Sequence, residues 1–225
     1  MEKFPQGSQN DKNFSGGDSK KSQRTVPCQY FAPQKIEEAL DILTECGKEI
    51  KIIAGGTDLL IQYYDRLYEV NVWLDLKNIS ELKKIKMNKN QMIIGAMVTH
   101  AQLEKSQDIK KYFPVLNQAA ADIGSPQIRN RGTVGGNIVN ASPAGDLLAP
   151  LMAYDAQFRL LSVQREKIVP AEEFFIGPKK TILRPDQLLT QIILPLPKKK
   201  TYGCWIKIGK RKALIIATIT LALVV

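Results

Sequence analysis

Two clusters of glycine and other small residues have a composition suited to binding phosphate. In this 225-residue chain, residues 52–60 read IIAGGTDLL, and residues 133–137 read TVGGN and lead into ASPAGD. Glycine lets a ligand approach the backbone without a Cβ in the way, and main-chain N–H groups can then surround an anion. Because the clusters lie about eighty residues apart, they predict an extended ligand that is held at two points.

The glycine pairs alone also fit a simpler interpretation, since consecutive glycines are common in tight turns of α/β domains. Neither cluster matches the G-x-G-x-x-G pattern of a Rossmann nucleotide site. No Gly-Lys-Ser or Gly-Lys-Thr follows the glycines, so a Walker phosphate loop is excluded. The spacing of the glycines therefore does not distinguish between a ligand site and a pair of tight turns.

The cysteines and the histidine do not form the patterns that are typical of a metal site or a nucleophilic active site. Cys28, Cys46 and Cys204 are far apart, with no CxxC pair and an odd count, so we expect no zinc site, iron–sulfur cluster or disulfide framework. His100 is the single histidine, and its place beside Thr99 at a predicted helix start favours a capping-region residue over a catalyst. We therefore predict no catalytic residue and no metal site, and a reducing cytoplasm is the simplest setting.

The elements that must position the two clusters follow from hydrophobic spacing. Residues 35–46 predict an amphipathic helix with a glycine stop directly after it. Residues 49–54 predict a short strand that delivers the chain into the first glycine pair, and residues 58–67 predict the helix that follows. This alternation of strand and helix is typical of a mixed fold.

The rest of the chain continues the mixed pattern. Further strands are predicted at 72–76, 91–96, 157–162, 188–194 and 202–208, and further helices at 101–106, 112–123 and 147–154. The apolar run 213–225 is too short to span a bilayer, and its β-branched content favours a buried strand. We therefore expect an α+β (mixed α/β) fold and no membrane association.

The distribution of charge argues against a nucleic-acid-binding body. The net charge is +10, but residues 1–26 carry +2 and residues 198–225 carry +7, so the segment between them is nearly neutral. A broad basic footprint for DNA or RNA is therefore weak, and a nucleic-acid-binding module stays only as a rival hypothesis. Residues 1–26 contain no apolar signal core and are predicted to form a disordered N-terminal extension.

Four segments together carry a family resemblance. In chain order they are IIAGGTDLLIQ, IGAMVTHAQLE, IGSPQIRNRGTVGGNIVNASPAGDLLAPLMAYDAQ and KIGKRKA. They resemble the FAD-binding (medium) subunit of the molybdenum hydroxylases, most of all the bacterial xanthine dehydrogenase FAD-binding subunit, over residues 27–225. The resemblance implies a two-subdomain FAD-binding fold of the vanillyl-alcohol oxidase type. Residues 27–200 would form the FAD-binding domain of two α/β subdomains, and residues 201–225 would begin an incomplete, truncated C-terminal α/β subdomain.

The resemblance also implies which residues hold FAD. The first cluster would line the pyrophosphate through its main-chain amides, and the second would hold the diphosphate and ribityl region from the other side. Ile123 would pack beside the cofactor, Asp146 would be the carboxylate partner of the flavin's polar groups, and Leu188 and Lys207 would contact the flavin end. The implied cofactor-binding residues are Ile52, Ile53, Ala54, Gly55, Gly56, Thr57, Asp58, Leu59, Ile123, Thr133, Val134, Gly135, Gly136, Asn137, Asp146, Leu188 and Lys207.

The function that the resemblance implies is electron transfer within a complex. A molybdopterin-binding large subunit would oxidise the substrate, 2Fe-2S clusters on an iron–sulfur small subunit would carry the electrons, and FAD on this chain would pass them to NAD. Other FAD subunits of the family, for carbon monoxide, nicotinate or aromatic acyl-CoA enzymes, remain open. A flavin-free assembly subunit also remains open, because Ile215 stands where the family has aspartate and the chain ends at Val225.

Overall fold

The computed structural model describes residues 29–67, 69–210 and 216–225. The predicted N-terminal extension, residues 1–26, lies outside the described residues, and so does Ile215. Within the described part, no helix combines the length and the apolar character needed to cross a membrane.

The first part of the chain forms a small parallel sheet. Its elements are β1 (Gln29–Phe31), α1 (Ile36–Cys46), β2 (Ile50–Ile53), α2 (Leu59–Tyr64) and β3 (Val72–Asp75). The strand order is β1-β3-β2, and both pairs are parallel. Helix α1 buries the apolar stripe that includes Ala39 and Leu43, and Gly47, at φ 56°, ends the helix by donating its N–H to the carbonyl of Leu43.

A second, antiparallel sheet follows two short 3₁₀ turns. Its strands are β4 (Ile85–Met87), β5 (Gln91–Gly95), β6 (Gln157–Leu161), β7 (Glu166–Pro170) and β10 (Leu188–Pro195). They lie in the order β4-β5-β10-β6-β7. A small hairpin of β8 (Phe175–Gly177) and β9 (Lys180–Thr181) precedes β10. Because β10 is central and pairs with strands from both halves of the sheet, its residues before Pro195 are buried, except Gln191, which is half-buried.

Helices cover this sheet and complete the main core. They are α3 (His100–Lys105), α4 (Gln107–Tyr112), α5 (Pro114–Ala121), α6 (Pro126–Arg131), α7 (Val134–Asn140), α8 (Leu148–Ala153) and α9 (Ala171–Phe174). Phe113, Leu116, Phe158 and Phe174 are fully buried between the helices and the sheet. Helix α3 begins at a capping box, in which Thr99 and Gln102 exchange side-chain and backbone hydrogen bonds.

The last part is a hairpin of β11 (Gly203–Gly209) and β12 (Ala217–Val224). Trp205 and Ala222 on its inner face pack against the main core, where β11 meets α5 and β12 meets α8. Its outer face is apolar and exposed, and it includes Ile206 and Leu221, which lie directly opposite each other. Strand alternation therefore divides the hairpin into a docked face and an open face.

The predicted α+β class is confirmed, with differences in detail. The helix predicted at 112–123 is α5, which spans Pro114–Ala121, and Tyr112 instead ends α4, since Phe113 adopts φ −134° before Pro114 and breaks the helical run. The second glycine cluster, interpreted as a loop, forms the first turn of α7. Strands β4 and β7, the β8–β9 hairpin and helices α6 and α9 were not predicted, because each is too short to show a clear period. The proposed division into domains at residue 200 stays a prediction.

The open hairpin face should drive self-association, because contiguous exposed apolar residues favour contact between molecules. We expect the double variant Ile206→Thr with Leu221→Thr to reduce the aggregated fraction in sedimentation velocity, since threonine retains β propensity while making the surface polar. The control is Ile176→Thr, which changes an isoleucine on β8 that is also exposed. An unchanged aggregated fraction in the double variant would show that this face does not mediate association.

Candidate functional site

The two glycine clusters meet at one cavity of about 260 Å³. The first cluster leaves the carboxyl end of β2, and Leu76 directly follows β3, so one wall is the carboxyl edge of the parallel sheet. The second cluster, at the start of α7, forms the opposite wall. Leu188 and Leu189 of β10 contribute an apolar side. The cavity thus joins a polar backbone wall to an apolar wall, which suits a ligand with both phosphate and an aromatic ring.

The first cluster contains three main-chain amides that are unpaired within the described residues. Gly56 has φ 75°, a left-handed conformation that favours glycine. Among the described residues, the N–H groups of Gly55, Gly56 and Thr57 donate no hydrogen bond. Unpaired amides in a glycine loop form an anion-binding concavity. This wall therefore fits the predicted contact with a pyrophosphate.

Gly55 itself is required by packing against another backbone. A Cβ added at Gly55 would overlap the carbonyl oxygen of Arg131 and lie 2.9 Å from the Cα of Gly132. This contact holds the first cluster against the segment that leads into α7. The close approach of the two backbones therefore explains why position 55 is glycine. The cavity lies beside this contact.

The second cluster uses four of its amides, those of residues 134–137, in hydrogen bonds within the chain. Val134 and Gly135 donate to the carbonyls of Val98 and Ala96 at 2.9 and 2.8 Å. The N–H of Gly136 donates to Thr133 Oγ1 at 3.1 Å, and the N–H of Asn137 donates to the Thr133 carbonyl at 3.0 Å. These four amides are therefore not free to bind a ligand. Buried Asn137 Oδ1 has no hydrogen-bond partner among the described residues, so it is a ready acceptor.

A polar link joins the two walls at the rim of the cavity. Asn140 Nδ2 donates to Asp58 Oδ1 at 3.0 Å, and Lys179 Nζ donates to Asn140 Oδ1 at 2.8 Å. Lys179 also donates its backbone N–H to the carbonyl of Ala141 at 2.8 Å. The link fixes the end of α7 between the first cluster and the β8–β9 hairpin.

Asp146 and Lys207 pair with each other and do not line the cavity. Lys207 Nζ lies 2.6 Å from Asp146 Oδ2 and donates to the Asp122 carbonyl at 3.0 Å. Trp205 Nε1 donates to Asp122 Oδ2 at 2.8 Å, so β11 is anchored by the buried Lys207–Asp146 pair and by the exposed Asp122. Burial raises the pKa of Asp146, although Lys207 acts in the opposite direction. Contact of either residue with a cofactor stays a prediction.

The structure brings most of the predicted site residues together. Those that line the cavity are Ile52, Ala54, Gly55, Gly56, Thr57, Asp58, Leu59, Ile123, Thr133, Gly135, Gly136, Asn137 and Leu188. Ile53 is the last residue of β2, and Val134 is fully buried, so neither faces the cavity.

Sequence reasoning missed several lining residues, among them Ala96, Met97 and His100. They follow the end of β5, and only the packing of that strand beside β10 brings them to the cavity. Burial and the positive charge of Arg129 lower the pKa of His100 to about 4, so its imidazole is neutral at pH 7. The family resemblance could have indicated these residues, because the segment IGAMVTHAQLE, which contains all three, is one of the four that carry it.

We expect Gly55→Ala to lower the free energy of unfolding by about 1–3 kcal/mol, because the added methyl group forces apart two packed backbones. Chemical denaturation of the cofactor-free protein measures this change. The matched control is Thr57→Ala, in the same loop, whose side chain makes no hydrogen bond in the described structure and whose loss should matter little. If Gly55→Ala kept full stability and lost only ligand affinity, the proposed packing role would be wrong.

His100 should make the folded chain less stable in mild acid. Its pKa is about 4 in the folded protein and near its ordinary value of 6.5 when unfolded, so the unfolded chain binds the proton first as pH falls. The stabilisation that comes from the lowered pKa of His100 is at most about 3 kcal/mol. It is fully present above pH 6.5 and is lost as the pH falls towards 4. We expect His100→Gln to flatten the pH dependence of unfolding over this range. Parallel curves for the two proteins would contradict this assignment.

The comparison with curated proteins identifies a family. Residues 23–197 match the family described as FAD binding domain in molybdopterin dehydrogenase. The chain is 37% identical over 196 residues to the nicotinate dehydrogenase FAD-subunit of Eubacterium barkeri, covering 85% of this chain and 66% of the relative. It is 32% identical over 192 residues to the xanthine dehydrogenase FAD-binding subunit of Escherichia coli O157:H7, covering 84% and 65%.

A solved structure agrees with the sequence match. One chain of carbon monoxide dehydrogenase from Hydrogenophaga pseudoflava, in a form that lacks the Mo-pyranopterin moiety of the molybdenum cofactor, superposes with a TM-score of 0.85. Sequence identity is 33%, and the match covers 88% of this chain and 69% of that chain. This protein thus spans about two thirds of the length of these relatives. The predicted resemblance is confirmed, with the nicotinate relative more similar in sequence than the xanthine relative. The chain belongs to the family of FAD-binding domains of molybdopterin dehydrogenases.

Proposed function

We propose that this chain is the FAD-carrying electron-transfer subunit of a cytoplasmic molybdenum hydroxylase complex. Electrons would come from 2Fe-2S clusters on an iron–sulfur small subunit and leave to NAD, while a molybdopterin-binding large subunit oxidises the substrate. The observation that carries the proposal is the cavity, which pairs unused amides of the first glycine cluster with the unpartnered oxygen of Asn137. These groups match the needs of a dinucleotide that has a pyrophosphate and polar substituents.

Each wall of the cavity has its own proposed role. The amides of Gly55, Gly56 and Thr57 hold the pyrophosphate, and Asn137 accepts a hydrogen bond from the cofactor on the opposite wall. Leu188 and Ile123 exclude water and provide an apolar surface for the ring. When bound, FAD supplies the ability to receive electrons singly and to give them up as a hydride.

The protein's own contribution is binding and positioning. Among the described side chains that line the cavity, the titratable groups are Asp58, which is tied to Asn140, and His100, which is neutral at pH 7. Neither is placed beside an identified reacting atom, so we propose no catalytic residue. The polar cluster of Lys207, Asp146 and Asp122 positions β11 against α5. Our interpretation of that cluster is structural support for the cofactor domain.

The substrate of the complex would be chosen by the molybdenum subunit. The nicotinate and xanthine relatives are named for nitrogen-containing aromatic rings, so we propose a nitrogen heteroaromatic compound. Carbon monoxide stays an alternative, because the structural match to carbon monoxide dehydrogenase is close. An intact cavity with unused amides counts against a flavin-free assembly role.

The cofactor-free chain should bind FAD at least about tenfold more tightly than FMN, since the adenylate half adds contacts worth about 1.4 kcal/mol or more. Quenching of flavin fluorescence during titration measures both affinities. Under anaerobic conditions, NADH should then bleach the visible band of the FAD-loaded chain. Both measurements use the purified chain without partner subunits.

A matched control is Lys167→Ala, which changes an exposed lysine on β7 and should leave flavin binding and bleaching unchanged. Equal affinity for FAD and FMN would contradict the proposed dinucleotide site. Tight FAD binding without bleaching by NADH would instead reject NAD as the electron acceptor and leave the cofactor assignment intact.

A further inference from the structure

The side chain of His100 lies in the wall of the cavity and has no hydrogen-bond partner in the part of the chain that the structure describes. His100 is the first residue of α3, and its backbone N–H donates to the carbonyl of Gly132 at 3.1 Å. The residue is 3% exposed, yet it lines the cavity. The capping box beside it uses Thr99 and Gln102, so the imidazole takes no part in starting the helix.

The position of the ring is set by the glycine that faces it. A Cβ added to Gly132 would lie 2.9 Å from His100 Cδ2 and 3.1 Å from Nε2. The Cδ2–Nε2 edge of the ring therefore packs directly against the backbone of Gly132, where no side chain intervenes. Nδ1 is buried and has no hydrogen-bond partner among the described residues. Nε2 makes no hydrogen bond with the described part of the chain either, and the residue lines the cavity. The fold therefore makes room for an imidazole and leaves both of its nitrogens unsatisfied.

Arg129, whose positive charge acts on the ring, is already engaged elsewhere. Arg129 Nε donates to Glu104 Oε2 at 2.8 Å, and its Nη1 donates to the carbonyl of Ile123 at 3.2 Å. Its positive charge and the burial of the ring both favour the neutral imidazole. A neutral imidazole has one N–H donor and one nitrogen acceptor. Leaving such groups buried and unpaired is unfavourable, and buried polar groups in native structures normally have partners.

We propose that His100 is a cofactor-binding residue, whose imidazole hydrogen-bonds a polar atom of the FAD held in the cavity. This inference rests on the proposed binding of FAD and adds a side-chain contact from α3 to the proposed contacts of the first-cluster amides and of Asn137. The polar contacts to the cofactor would then come from three separate parts of the chain: the loop after β2, the first turn of α7, and the segment after β5. The contact is a binding contact and requires no proton transfer.

Because the chain contains a single histidine, selective ¹⁵N-histidine labelling reports on this ring alone. We expect saturating FAD to shift at least one imidazole ¹⁵N resonance in long-range ¹H–¹⁵N spectra at pH 7, as a new hydrogen bond forms. Titration with FMN and with ADP in place of FAD shows which half of the dinucleotide the ring contacts. Unchanged imidazole resonances at full FAD occupancy, verified by absorption, would overturn the proposal.

Variants provide a second measurement. We expect His100→Leu, which removes both polar nitrogens, to weaken FAD affinity about tenfold, as loss of one hydrogen bond of about 1.4 kcal/mol would do. His100→Gln retains a donor and an acceptor and should recover part of that affinity. The control is Gln102→Ala, which breaks the capping box of the same helix without removing a lining side chain.

The outcomes separate this inference from the proposed function. If Gln102→Ala weakened FAD binding as much as His100→Leu, the histidine would act only through the helix, and the inference would be wrong. If the unaltered chain bound FAD while His100→Leu bound it equally well, the inference alone would fail. If the unaltered chain did not bind FAD at all, the proposed function and this inference would fail together.

Discussion

Close approach of backbone to backbone is the constraint on which the cavity depends. Gly55 lies against the carbonyl of Arg131, and Gly135 lies against Ala96, where an added Cβ would be 2.7 Å from the alanine methyl carbon. Gly132 lies against the ring of His100. The segment from 131 to 136 therefore runs between the parallel sheet and the end of β5 at distances that only glycine permits. This packing sets the width of the cavity and the direction of both of its walls.

The same packing explains why the two glycine clusters are not equivalent. The second cluster folds into a helix start, and its N–H groups are satisfied by Thr133 and by the segment after β5. The first cluster remains a loop that lines the cavity, and among the described residues its amides at 55–57 have no acceptor. Similar compositions thus produce a loop with unpaired amides on one wall and a structural junction on the other. What the junction offers to a ligand is the side chain of Asn137.

A buried ion pair fixes the position of the β11–β12 hairpin. The side chains of Lys207 and Asp146 are 5% and 9% exposed, so they make their contact away from water. Desolvation offsets much of the attraction between the two charges of a buried pair. The clearer effect of the pair is on conformational specificity, because either charge would be unfavourable in that place without the other. The pair and the Trp205–Asp122 hydrogen bond therefore select one seating of β11 on α5. A flavin domain needs this kind of fixed frame, since electron transfer and binding both depend on constant geometry.

Local patterns in the sequence were sufficient for the longer elements. The helical spacing around Leu43, the apolar run that became β10 and the cap at Thr99 each appear in the structure as predicted. The short elements were missed, and the helix predicted at 112–123 begins only at Pro114, because the proline holds Phe113 outside the helical conformation.

The sequence by itself determined the fold class, the two clusters and the family to which they belong, since these depend on residue type, order and local spacing. The tertiary structure alone decided which amides stay unpaired, that Lys207 meets Asp146, and that His100 reaches the cavity. These features arise between residues that are far apart in the chain. Their hydrogen bonds and steric contacts exist only after the sheets and helices have packed, so no local pattern can encode them.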